Sequence, residues 1–97
     1  MLFCIRCIDR SDAPGLRQQV RPQHLDYLKS LGTGLVLAGP LLAADGATPT
    51  GSLLVVEAPD QVGAEQLAAA DPYAIAGLFA EVAIQPYRIV FLNPPAA

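Results

Sequence analysis

The spacing of hydrophobic residues along the chain predicts strands and helices in succession, beginning at the second residue. Leu2–Asp9 alternates in the manner of a strand. From Leu16 to Leu31 the apolar residues recur at helical spacing, and Gly32 is suited to end that helix. Pro22 lies within this span, so either the regular helix begins near Arg21, with Pro22 in its first turn, or the helix is kinked at Pro22.

Two further strands and a helix follow in the middle of the chain. Leu35–Leu42 predicts a second strand, in which Pro40 cannot donate to a ladder and therefore marks a strand end, an edge or a bulge. Gly51–Ala58 predicts the third strand. Asp60 is suited to cap a helix over Gln61–Ala70. The remaining predicted elements are a short helical piece from Pro72 through Phe79, a strand over Val82–Leu92 with Pro86 at an edge or bulge, and a tail, Asn93–Ala97.

The order β-α-β-β-α-β predicts a single α+β domain of the ferredoxin-like type over residues 1–97. With right-handed crossovers, this order gives a four-stranded antiparallel sheet with both helices on one face. The other face has no helix to cover it, although the third strand is almost continuously apolar over Ser52–Val56. Strands of that kind need cover on both faces. We therefore expect a homodimer in which two sheets stack face to face, in a dimeric α/β-barrel-like association.

This topology brings residues that are distant in sequence to one end of the sheet. The first two strands end there, the third strand and the first helix begin there, and the second helical segment finishes there. The expected neighbours at this end are Asp9, Arg21, His24, Gly39, Pro40, Gly51, Ser52 and Asp71. We therefore expect the functional pocket at this end of the domain.

Composition and charge narrow the range of partners. Of the 97 residues, 53% are hydrophobic and 15% are charged, which leaves apolar surface for a subunit interface. Six Lys and Arg residues against nine Asp and Glu residues provide no basic field for nucleic acid. No apolar stretch approaches the roughly 20 residues that span a bilayer. The N-terminal sequence has neither the basic leader nor the long hydrophobic block of a signal peptide, which predicts a cytoplasmic protein.

Cys4 and Cys7 have the CxxC spacing of some metal and redox sites. Such sites need thiols that converge, whereas residues three apart in a strand point to opposite faces. The sequence has no second cysteine pair and one histidine, and Gly32–Gly34 lacks the rest of a dinucleotide-binding fingerprint. We therefore expect no metal and no cofactor, and we interpret the cysteines as plain buried thiols.

His24, the single histidine, is the first candidate for chemistry. On a helical wheel it lies within about 40° of Val20, Leu28 and Leu31, in the middle of the buried stripe. It is either a half-buried histidine satisfied by a backbone carbonyl or a functional imidazole in a cleft between helix and sheet. Asp71, which precedes a proline, fits a helix N-cap, but a carboxylate near His24 would also fix the tautomer of a general base. The two roles are compatible, since a carboxylate has two oxygens.

Ser52 and Arg21 are candidates for substrate binding. Ser52 follows Gly51 at a predicted strand start without a GxSxG elbow, so a hydrogen bond to substrate is favoured over nucleophilic catalysis. A simple strand-end serine is the alternative. Arg21 lies one turn before His24 and either neutralises an anionic substrate or is a solvated cation at the start of the helix.

Several short motifs, in order along nearly the whole chain, resemble the YCII-related (YciI-like) family. They are Arg21-Pro22-Gln23-His24-Leu25, Ala38-Gly39-Pro40, Thr50-Gly51-Ser52, Asp71-Pro72-Tyr73, Ala76-Gly77-Leu78-Phe79 and Pro86-Tyr87-Arg88. The resemblance implies a dimeric ferredoxin-like fold with a site centred on His24 and Asp71. It also matches the family's arginine to Arg21 and its Gly-Ser pair to Gly51 and Ser52. We add Gly39 and Pro40, from the predicted end of the second strand, to the substrate-binding set.

The resemblance also implies a class of chemistry. Some relatives are lyases similar to chloromuconolactone dehalogenase, and the fold is close to that of muconolactone isomerase. We therefore expect a cofactor-free enzyme that performs an isomerisation or elimination on a small anionic substrate such as a lactone. His24 would be its general acid/base and Asp71 the orienting partner. The alternative is a non-catalytic dimeric module that binds a small ligand in the same cleft.

Overall fold

The computed structural model describes residues 1–94, so the last part of the expected tail, residues 95–97, lies outside the described residues. The elements in chain order are β1 (Leu2–Asp9), α1 (Leu16–Ser30), β2 (Leu35–Leu42), β3 (Pro49–Glu57), α2 (Gln61–Ala70), α3 (Pro72–Ile75) and β4 (Phe79–Tyr87). A short 3-10 turn, Gly32–Gly34, joins α1 to β2. No helix among residues 1–94 has the length and hydropathy to cross a membrane.

The four strands form one antiparallel sheet in the order β2-β3-β1-β4. This is the strand order of the ferredoxin-like plan, so the predicted fold class is confirmed. Pro40 and Pro86 lie in the two edge strands, β2 and β4. An edge strand tolerates proline because its missing N–H leaves no gap inside the sheet.

The helices cover one face of the sheet, and the core lies beneath them. Phe3, Ile5 and Cys7 of β1 point to this face, together with Leu54 and Val56 of β3. Ala64 of α2 and Ala58 complete the buried cluster. Residues that pair across strands share a face, so Cys4, Val55 and Leu37 lie on the other face, which no helix covers. The two cysteines therefore point to opposite faces, as predicted.

The first helix is longer than the prediction in which it begins near Arg21. It begins at Leu16, after Gly15 in the left-handed conformation, and continues to Ser30. A start near Arg21 is therefore wrong, and Pro22 lies inside the helix. Proline removes one helical hydrogen bond, to the carbonyl of Gln18. Both Gln18 and Pro22 are exposed, so water can satisfy that carbonyl.

Three other predicted elements have different bounds in the structure. The helical piece expected through Phe79 ends at Ile75, because Gly77 takes the left-handed conformation with φ 77°. The N–H of Leu78 then bonds to the carbonyl of Tyr73 at 3.0 Å, which closes a Schellman motif and turns the chain into β4. The last strand is therefore Phe79–Tyr87 rather than Val82–Leu92. The third strand is Pro49–Glu57 rather than Gly51–Ala58, and it begins early because Leu42 pairs with Pro49 beyond a register shift.

Gly51 lies where β3 packs closely against β1. It pairs with Ile8 of β1 and with Leu41 of β2. A Cβ atom at this position would overlap the backbone carbonyl oxygen of Cys7. Glycine is therefore required by close packing, and this packing fixes the backbone that carries Ser52.

Substitution Gly51→Ala should lower the free energy of unfolding by about 1–3 kcal/mol, because the added methyl group forces the two strands apart. Chemical denaturation measures the effect. Gly39→Ala is the matched control, since a Cβ on Gly39 meets nothing within 4 Å. Equal stability of Gly51→Ala and Gly39→Ala would show that the strands are not packed as described.

Candidate functional site

A cavity of about 600 Å³ opens between α1 and the adjoining parts of β2 and β3. Its apolar walls include Leu25 and Leu28 of α1 and Leu54 of β3. The other residues that line it include Arg17, Arg21, His24, Gly39, Pro40, Ser52 and Tyr73. Of the eight residues expected at this end of the sheet, five line the cavity, which is large enough for a small molecule, and Asp9, Gly51 and Asp71 do not.

His24 is the buried residue of α1, with 7% of its surface exposed. Its Nδ1 lies 2.8 Å from Oδ1 of Asp71. Its ring stacks on that of Tyr73, with centroids 3.9 Å apart and an interplanar angle of 15°. Among the described residues, every fully buried side-chain nitrogen or oxygen has a hydrogen-bond partner. Nε2 of His24 has none there, so it is not fully buried. Nε2 is therefore the ring nitrogen that remains accessible at the cavity.

Asp71 combines two roles through a single oxygen. It ends α2 and begins α3, and its side chain is 5% exposed. Oδ1 accepts the backbone N–H of Tyr73 at 2.9 Å, which caps α3, and the same oxygen contacts His24. The two roles are therefore compatible, as expected, although one oxygen serves both and the second oxygen is not needed for it. Asp71 does not line the cavity and lies behind the imidazole.

The other predicted site residues border the same cavity from different sides. Ser52, near the start of β3, is 2% exposed. Gly39 and Pro40 lie across from it on the edge strand β2, where Pro40 pairs with Ser52. Arg21 is exposed, and none of the ion pairs among residues 1–94 includes it. Its cation is therefore available at the edge of the cavity.

The sequence argument gave no role to Arg17 or Tyr73. Arg17 makes two hydrogen bonds of 2.7 Å to the carboxylate of Asp9 and a third, of 2.9 Å, to Oγ of Ser52. Its guanidinium carbon lies 4.7 Å from the centre of the Tyr73 ring. The spacing of Arg17, Arg21 and His24, at i, i+4 and i+7, places all three on one helix face. This shared face could not be recognised from the sequence, because Pro22 left open whether Arg17 belongs to the helix.

Burial raises the pKa of two further groups beside the site. It raises the pKa of the Cys7 thiol to about 12, and the charge of Asp71 adds to that effect. Burial also raises the pKa of the Tyr73 phenol, while Arg17 beside it acts in the opposite direction. A neutral buried thiol is a poor nucleophile and a poor metal ligand. Within residues 1–94, no three His, Cys, Asp or Glu side chains are grouped to hold a metal.

Solved structures of similar proteins share this fold. The 5-chloro-2-hydroxyhydroquinone dehydrochlorinase TftG from Burkholderia phenoliruptrix, in complex with 2,5-dihydroxybenzoquinone, matches with a TM-score of 0.83 and 33% identity. The match covers 91% of this chain and 94% of that one. SnoaB, a cofactor-independent oxygenase from Streptomyces nogalater, matches with a TM-score of 0.54 and 15% identity, over 95% of this chain and 96% of that one. The second likeness concerns the fold alone.

Sequence similarity to known proteins extends over nearly the whole chain. The protein YciI of Escherichia coli is 37% identical over 98 residues, covering 94% of this chain and all of that protein. The model of the YCII-related domain matches residues 1–88, which include every predicted site residue. The chain therefore belongs to the YCII-related family.

Proposed function

We propose that this protein is a cofactor-free enzyme that catalyses an elimination or isomerisation on a small anionic organic molecule by proton transfer. The observation that carries the proposal is the buried contact of 2.8 Å between His24 Nδ1 and Asp71 Oδ1, with Nε2 left for the cavity. Ser52, Arg21, Gly39 and Pro40 would bind the substrate. The alternative of a non-catalytic binding module uses the same cavity and is separated by the experiment below.

The hydrogen bonds around Asp71 support a general base at Nε2. An ionised carboxylate can only accept, so the contact with Asp71 assigns the ring proton to Nδ1. The lone pair of neutral His24 is then on Nε2. Stacking on Tyr73 limits rotation of the ring and keeps that lone pair directed toward the cavity. A base held in one tautomer and one orientation is what proton abstraction requires.

Two redox-neutral reactions fit this arrangement. In an elimination, Nε2 accepts a proton from the substrate, the electron pair of the broken bond forms a new double bond, and a leaving group such as chloride departs with its own electron pair. In an isomerisation, the same nitrogen returns the proton to a different carbon. Neither reaction needs a metal, a nucleophile or an external electron acceptor.

The likeness to TftG supports a particular class of substrate. That protein is a dehydrochlorinase, and its structure holds 2,5-dihydroxybenzoquinone, a flat ring that carries four oxygens. The cavity here has a volume typical of small-molecule sites, apolar walls for the ring faces, and a cation at Arg21 for an acidic oxygen. We therefore propose chlorinated, hydroxylated rings as the first substrates to test, with unsaturated lactones second.

Release of chloride from 5-chloro-2-hydroxyhydroquinone should be measurable for the wild-type protein and should fall about 10²- to 10⁴-fold in His24→Asn. The asparagine amide can still donate to Asp71 but has no basic nitrogen at the position of Nε2. Asp71→Asn should lower the rate less, because its amide oxygen can still cap α3 and accept from the imidazole while the charge is lost. Asp26→Asn, an exposed change on α1, is the control.

The rival function predicts a different pattern in the same assay. If 2,5-dihydroxybenzoquinone binds while neither the chlorinated ring nor a lactone is turned over, the protein is a binding module. Turnover that is unchanged in His24→Asn would reject His24 as the base.

We also propose that the open face of the sheet forms a homodimer. On that face Leu37 is 44% exposed and Leu53 is half-buried, while Val55 between them is already covered. Beyond β4, Val90, Phe91 and Leu92 are 80%, 90% and 68% exposed. So much unpartnered apolar surface on a small domain favours association with a second copy.

Alkylation of Cys4 should slow as the protein concentration rises from the low to the high micromolar range, because Cys4 lies on the open face and would become buried in the dimer. Cys7, on the helix-covered face, should stay protected at every concentration until the chain is unfolded. Leu37→Lys should restore rapid alkylation of Cys4, whereas Val62→Lys, an exposed position on α2, should not. A concentration-independent rate together with a monomeric mass by light scattering would reject the dimer.

A further inference from the structure

The ion pair of Arg17 and Asp9 lies beside the cavity and is linked to Ser52. Nε and Nη2 of Arg17 bind the two oxygens of Asp9, each at 2.7 Å, and the side chains are 16% and 13% exposed. The charge of Arg17 is thus already neutralised within the protein. Arg17 is therefore poorly suited to receive an anionic ligand directly, in contrast to the unpaired Arg21.

The third contact of Arg17 determines how the Ser52 hydroxyl can act. Nη2 lies 2.9 Å from Oγ of Ser52. A guanidinium group has donors and no acceptor, so Ser52 accepts this bond and its own proton must point elsewhere. Among residues 1–94 the Ser52 hydroxyl donates no hydrogen bond, and Ser52, although 2% exposed, forms part of the cavity wall. The proton is available to a molecule in the cavity.

We infer that Asp9 and Arg17 are positioning residues that fix Ser52 as a hydrogen-bond donor to an acceptor oxygen of the ligand. The inference rests on the proposed function for its ligand class, a ring whose carbonyl or deprotonated hydroxyl oxygen lies next to the reacting carbon. Accepting a bond from a cation polarises a hydroxyl and strengthens its own donation. Ser52 therefore favours a ligand oxygen that carries negative charge.

Tyr73 connects this donor to the base. One ring contacts both the guanidinium of Arg17 and the imidazole of His24. Nε2 and Oγ are thus held at one cavity by a common aromatic wall. When a base removes a proton next to a carbonyl, the electron pair moves onto the carbonyl oxygen, and a donor preorganised at that oxygen stabilises the charge. Selectivity for oxygenated rings follows from this pairing.

The test measures binding of 2,5-dihydroxybenzoquinone by calorimetry and by its visible absorption band. Ser52→Ala should weaken binding about 10- to 100-fold, as expected for loss of a hydrogen bond to a charged oxygen. It should also shift the band of the bound ligand, because the donor no longer withdraws charge from the ring. Ser30→Ala, whose hydroxyl bonds to the carbonyl of Tyr27 at the other end of α1, should change neither quantity.

The positioning role of the ion pair is tested by the double substitution of Asp9→Asn with Arg17→Gln. Removing both charges together avoids leaving one of them buried and unpaired, which could unfold the protein. The double variant should reproduce part of the band shift and part of the loss in affinity of Ser52→Ala, with the melting temperature recorded alongside. A structural role alone would lower the melting temperature without moving the band.

Unchanged affinity and an unchanged band in Ser52→Ala would overturn the inference even if the wild-type protein turns over its substrate. Failure of the wild-type protein to bind the probe would overturn it together with the proposed ligand class. A clear effect of Ser52→Ala on binding, in a protein that shows no turnover, would support the inference and reject only the catalytic part of the proposed function.

Discussion

The carboxylate oxygen Oδ1 of Asp71 holds a helix start and an imidazole ring at the same time. It accepts the backbone N–H of Tyr73 at 2.9 Å and lies 2.8 Å from Nδ1 of His24. The first bond fixes where α3 begins after α2, and the second fixes the face that α1 presents to it. Because one atom serves both, the positions of α1 and of α3 cannot vary independently. The shape of the cavity beside α1 therefore depends on this constraint.

Tyr73 extends the constraint from the helices to the sheet. Its backbone is held by Asp71, its ring stacks on His24, and Arg17 lies over the same ring. Arg17 in turn binds Asp9 at the end of β1 and Ser52 near the start of β3. Contacts thus run without interruption from the α2–α3 junction through α1 to the two central strands. This continuity allows α1 to remain in place although the cavity separates part of it from the sheet.

Hydrophobic spacing was sufficient to predict the fold, but some boundaries depended on backbone conformation. Leu2–Asp9, Leu35–Leu42 and Gln61–Ala70 were predicted with the bounds that the structure has. The region after Asp71 was not, because apolar residues recur from Ala74 to Leu92 with only single polar interruptions, such as Glu81 and Arg88, so their spacing alone gives no boundary. Only the left-handed conformation of Gly77 ends α3 early enough for β4 to begin at Phe79. A glycine signals that such a turn is available, and tertiary packing decides whether it is used.

In the candidate site, too, the topology could be predicted from the sequence, whereas contacts that depend on local conformation could not. The ferredoxin-like plan was enough to bring His24 and Asp71 together across 47 positions of sequence. Arg17 could not be assigned, because its direction depends on whether the helix includes the turn before Pro22. Once that turn is helical, Arg17 reaches β1 and β3, where Asp9 cancels its charge. Among the described residues that line the cavity, Arg21 at its edge is then the cation without an ion pair, and Ser52 inside accepts a hydrogen bond from Arg17. In a space with apolar walls, that distribution suits the ligand proposed above, whose charge is spread over a ring and its oxygens. For a compact anion, the free-energy cost of losing hydration would exceed the stabilisation from a single exposed cation.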